Sequence, residues 1–82
     1  MPFQKIELDR VAESVITQIE QLILRGIIRP GERLPSERDL AEKLGVSRPS
    51  LREAISSLQE RGLLTTKANS GIFVADLLGS PF

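Results

Sequence analysis

Apolar residues along this chain recur first with a helical period and, near the end, in short β-rich runs. Between residues 9 and 25, Val11, Val15, Ile19, Leu22 and Ile23 fall at spacings of three and four, one stripe on an amphipathic helix. Asp9 is placed to cap its start and Gly26 to end it. Pro30 and Gly31 then mark a turn, and Leu34 followed by Pro35 allows only a short edge strand or extended stretch. A second helix opens at Ser36, with Glu37 and Asp39 in the first turn, where acids complement the helix dipole. Leu40, Ala41 and Leu44 form its buried face. Gly45 ends it, and Ser47 caps a third helix from about Arg48 to Arg61, stopped by Gly62, with Leu51, Ala54, Ile55 and Leu58 facing the core. Two β-rich runs around Lys67 to Gly71 predict a hairpin, which Phe73 is expected to pack on the core.

Two short helices joined by a tight Gly-containing turn match a helix-turn-helix. Three helices followed by a hairpin is the order of a winged helix-turn-helix, so the expected fold is mainly α with a small β-hairpin, three helices plus wing. The domain is expected to span residues 9–75, after an N-terminal arm at 1–8 and before a linker or truncated end at 76–82.

Composition narrows what such a domain can do. Its 82 residues make one small domain, burying somewhat more than about 60% of the unfolded surface. With no histidine and no cysteine, conventional zinc sites, thiolate chemistry, disulfides and His-based acid–base catalysis are all excluded. The acids are spread among basic residues on helix faces, as on a solvated surface, so no enzyme, metal or cofactor is expected. The longest apolar run, Ile72 to Ala75, is far too short to cross a membrane, and the N-terminus lacks a signal core; a cytoplasmic location is expected. Eleven basic and eleven acidic residues cancel, so any nucleic-acid binding must rest on where the arginines sit.

Arg48 sits where a cation is mildly unfavourable, at the positive end of the third helix. At 100° per residue, Arg48 and Arg52 share a flank beside the apolar face. Ser47 and Ser50 add hydroxyls at the same tip, next to free backbone N–H groups. Glu53 is the nearest acid in this reading and points further round, so the surface suits an anion that the chain itself does not supply. DNA fits: phosphates accept from helix N-termini and hydroxyls, and guanine accepts a bidentate arginine. A recognition helix also reads bases mainly with its N-terminal residues. The second reading is a winged-helix interaction module whose arginine tip meets an acidic partner surface.

The stretch PGERLPSERDLAEKLGVSRPSLREAISSLQERGLL resembles the N-terminal DNA-binding domain of GntR-family bacterial transcriptional regulators. It looks closest to the branch of fatty-acid-, pyruvate- and lactate-responsive repressors, and the similarity spans about residues 9 to 75. The resemblance implies DNA contacts from Arg38 in helix two and from Ser47, Arg48, Ser50 and Arg52, with Pro49 facing DNA through apolar or backbone atoms. It also places the hairpin tip, Lys67 to Gly71, toward the minor groove. There the chain departs from the Gly-x-Gly tip of many relatives: Asn69 replaces the first glycine, still tolerating positive φ, and Ile72 replaces a threonine. Asn69 and Gly71 remain candidates; Lys67 is a phosphate contact or a solvated turn lysine. Glu37 is assigned to capping. The resemblance further implies a homodimer on a palindromic double-stranded operator, and a C-terminal domain, absent here, that binds a small-molecule effector.

Overall fold

The computed structural model describes residues 10–67 and 70–76. Three helices, α1 (Arg10–Leu24), α2 (Glu37–Leu44) and α3 (Arg48–Glu60), precede two strands, β1 (Leu64–Lys67) and β2 (Gly71–Val74). This is the expected winged helix-turn-helix order. The expected cap at Asp9 lies outside the described residues, as do the arm at 1–8, Asn69 and residues 77–82.

The first helix keeps Val15, Ile19 and Ile23 of the expected stripe against the core but departs from it at its start. Ala12, Val15, Ile16 and Ile19 are buried, whereas Val11 is exposed. Ala12 and Ile16 lie off the stripe of larger side chains that Val11 and Leu22 complete, yet both are buried, so burial here follows fit rather than bulk.

At the other two helices the local signals hold. Ser36 caps α2 by accepting from the Asp39 backbone N–H at 3.1 Å. Gly45 ends it in the left-handed conformation (φ 69°), while the Val46 N–H reaches back to the Ala41 carbonyl at 3.0 Å. Two residues later Ser47 caps α3, accepting from the Ser50 N–H at 3.3 Å. Leu51, Ala54, Ile55 and Leu58 face the core, and among the described residues no polar or charged side chain is buried.

The hairpin pairs antiparallel, Leu64 opposite Val74 and Lys67 opposite Gly71. A third extended piece joins β2 on its other edge. The Gly31 N–H donates to the Val74 carbonyl, the Val74 N–H to Glu32 and the Leu34 N–H to Ile72, each at 2.8 Å. Residues 31–34 therefore seat the turn before α2 against the wing, and Pro35, with no N–H, ends the pairing. Period-two alternation puts Ile72 and Val74 in the core. Phe73 is not a core residue, contrary to expectation. It lies on the opposite face of β2, half-buried, between Arg33 and Thr65, with the Lys67 Nζ 5.1 Å from its ring centre.

Candidate nucleic-acid interface

The helix-turn-helix geometry brings the first turn of α2 beside the first turns of α3. That juxtaposition decides the state of the arginines. Arg48 donates from Nε and Nη2 to Glu37 Oε1, at 3.1 and 2.9 Å, and Arg52 donates from Nε to Glu37 Oε2 at 3.0 Å. One carboxylate thus holds two guanidiniums, one on each oxygen. The chain does supply an anion near Arg48, which corrects the expectation that only Glu53 stood near. Glu37 also exceeds the capping role assigned to it. It follows the N-cap Ser36 directly, so its backbone serves the helix while its side chain reaches across to α3.

The pairing does not hide the arginines. Their side chains remain 54% and 61% exposed. Two cations on one carboxylate leave a net positive charge at the α3 tip, although the whole chain is neutral. A solvated ion pair is worth little in water, whereas a bidentate arginine–guanine contact is worth roughly ten- to hundredfold in affinity. Glu37 therefore orients the guanidiniums without sequestering them. The hydrogen bond from Arg52, then that from Arg48, holds the Glu37 carboxyl below the usual carboxylate range, and Glu37 in turn raises Arg52. Because the folded value is lowered, the stabilisation is complete at neutral pH and fades only as acid protonates Glu37 in the folded chain.

Ser47 and Ser50 stand where the sequence placed them. The Ser47 hydroxyl, already accepting from the Ser50 N–H, lies 3.1 Å from the Ser50 hydroxyl, so part of their donor capacity is spent on capping. Pro49 is exposed in the first turn of α3. Arg38 is exposed on α2 and makes no ion pair among the described residues.

The wing stands apart from this cluster. Gln59 ties it to α3, donating from Nε2 to Thr66 Oγ1 at 2.7 Å. Lys67 lies over Phe73 rather than in solvent alone. Gly71 has φ 116°, and a Cβ there would stand 2.9 Å from Arg33 Nε. The exposed Arg33 side chain could swing aside, so it is the positive φ that favours glycine here. Arg33 carried no sequence signal beyond its place in a turn; only the pairing of residues 31–34 with β2 brings it to the wing.

This architecture defines a winged helix-turn-helix protein with a cationic recognition tip. The family model "Bacterial regulatory proteins, gntR family" matches residues 11–74. Among curated proteins, the chain is 47% identical over 74 residues to an HTH-type transcriptional regulator of Mycobacterium tuberculosis, covering 90% of this chain and 31% of that one. It is 45% identical over 67 residues to the Glc operon transcriptional activator of Escherichia coli, covering 82% and 26% respectively. The chain thus spans about a third or less of the length of these relatives. Among solved structures, the AraR DNA-binding domain in complex with operator ORR3 superposes with a TM-score of 0.77 at 33% identity, covering 92% of this chain and 90% of that one.

The chain belongs to the GntR family of bacterial regulatory proteins. It is a sequence-specific DNA-binding domain of the kind used in transcription regulation.

Proposed function

We propose that the tip of α3 reads base edges in the major groove through Arg48 and Arg52, with Arg38 contributing from α2. Ser47, Pro49 and Ser50 then meet the adjoining backbone, and Lys67, Asn69 and Gly71 carry the wing toward the minor groove. The observation that supports this most directly is the pair of exposed guanidiniums held side by side by Glu37 at the start of a capped helix. A reader must be held in register before its ligand arrives, and a shared carboxylate does that.

In the full-length regulator the domain works as one half of a homodimer on a palindromic operator, in the cytoplasm, with a small-molecule effector bound by a C-terminal domain. Two half-sites joined in one dimer gain from effective concentration, so this domain alone binds weakly. Repression is the proposed outcome, as in the fatty-acid-, pyruvate- and lactate-responsive branch that the motif resembles. One relative is named an activator, so the sign of regulation rests on promoter geometry as well as on the domain.

The test is a titration of the 82-residue chain with random duplex at two salt concentrations, followed by selection from a random pool. Binding should weaken steeply with salt, and the selected duplex should win over random sequence. An absence of duplex binding even at low salt would replace this proposal with the acidic-partner module.

A further inference from the structure

Between α3 and the wing lies an open cleft of about 460 Å³. Its rim carries three cations from three separate parts of the chain: Arg33 from the stretch before α2, Arg52 from α3 and Lys67 from β1. Leu34, Ile55 and Ile72 line it as well. Glu37 is the one acid along it, and both of its oxygens are already engaged by Arg48 and Arg52. Among the described residues, neither Arg33 nor Lys67 forms an ion pair. Arg33 is an exposed arginine at the edge where residues 31–34 pair with β2, with no hydrogen-bond partner for its guanidinium among the described residues. Its guanidinium lies against Gly71, where a Cβ would stand 2.9 Å from Nε, 3.4 Å from Nη2 and 3.5 Å from Cζ.

In duplex DNA one strand of phosphates separates a major groove from the neighbouring minor groove. A protein that puts α3 in the first and its wing toward the second must let that strand cross the space between them. Here that space is this cleft. An arginine suits the position, because its planar fork binds phosphate oxygens in pairs.

We propose that the cleft is a phosphodiester-binding site and that Arg33 is its anchor, gripping the strand that crosses between recognition helix and wing. The proposal rests on the DNA-binding reading above. Phosphate contact carries no base preference, so Arg33 sets affinity and register while Arg48 and Arg52 set sequence.

The test uses the 82-residue chain and a duplex selected from a random pool. Arg33→Ala should weaken the selected and random duplexes by the same factor, on the order of fivefold, and reduce the log–log salt slope by about 0.9. Arg25→Ala removes the same charge beyond the end of α1 and should leave the slope unchanged. A scan with neutral methylphosphonate linkages should find one linkage that weakens the parent but not R33A. An unchanged slope in R33A, an equal fall in R25A, or a loss confined to the selected sequence would each overturn the site.

A measurement on the unaltered chain protects against a misfolded variant. The Arg33 Nε–H resonance should shift on adding duplex, and a silent resonance overturns the proposal. Inorganic phosphate alone should not saturate that resonance at low millimolar concentration; if it does, the cleft is a free-anion site instead. Failure of the unaltered chain to bind any duplex sinks the DNA reading itself, whereas duplex binding with Arg33 silent sinks only this site.

Discussion

The tip of α3 and the wing are surfaces of opposite construction. The tip is a rigid helix start: Ser47 caps it, Leu51 anchors it with no exposed surface, and Glu37 fixes the direction of two guanidiniums. The wing is two strands of four residues, held by alternate apolar side chains on one face and by the Gln59–Thr66 hydrogen bond. Its outer face offers Lys67 over Phe73. Discrimination between bases needs donors held to fractions of an ångström, which a capped helix on a packed core supplies. Contact with a uniform phosphate backbone needs only charge at the right distance. The proposed division of labour, base reading at the tip and phosphate contact at the wing, follows from how firmly each region is built.

The largest effect that separates the two regions is on stability. Leu51→Ala should cost about 2–5 kcal/mol, enough to unfold much of so small a domain, because Leu51 is fully buried and its truncation leaves a cavity in the core. Phe73→Ala, on the half-buried outer face of the wing, should cost about 1 kcal/mol. Urea unfolding of both variants measures the gap. Equal losses would mean that the wing is as integral to the core as α3.

Arg52→Ala comes next. It should weaken the selected duplex roughly ten- to hundredfold and relax preference at one base pair while leaving the fold intact, since Arg52 is exposed. Binding to random duplex should change far less. Uniform weakening across all sequences would move Arg52 from base reading to phosphate contact, and the contrast with the wing would collapse.

The legibility of this molecule in its sequence follows the same contrast. Caps, glycine stops and the α3 core face depend on neighbours within four residues, and Ser36, Ser47, Gly45 and Leu58 stand as expected. The helical period also sets Arg48 and Arg52 side by side at the start of α3, as the structure has them. What local pattern could not show is contact between distant segments. Glu37 precedes Arg48 by eleven residues and Arg52 by fifteen, and only the crossing of α2 and α3 joins them. Arg33 meets Gly71 because an edge stretch pairs with β2, a register that the turn signal of Pro30 and Gly31 does not encode. Phe73 went astray for a related reason: strand alternation fixes which residues share a face, but not which face is inward.

Glu37→Gln sharpens the account of the tip. A neutral amide keeps one acceptor oxygen and turns an NH2 donor toward the other arginine. One guanidinium thus loses its partner and the shared direction weakens, while the tip gains a unit of positive charge. Random duplex should bind about two- to threefold more tightly, and the preference for the selected duplex should fall by a similar factor. A purely structural role would lower the melting temperature and move both affinities together. An unchanged preference would show that the arginines find their register without Glu37.

A comparably small effect belongs to the wing. Lys67→Ala should lower affinity a few-fold for every sequence alike and reduce the salt slope by about 0.9, the loss of one phosphate contact. Lys67→Arg should restore the slope, since the charge returns and the cation can still lie on Phe73. The pair separates charge from packing. If alanine leaves the slope unchanged, the Phe73 ring holds Lys67 for the fold alone; if arginine fails to restore it, the length of the lysine stem, rather than its charge, sets the contact.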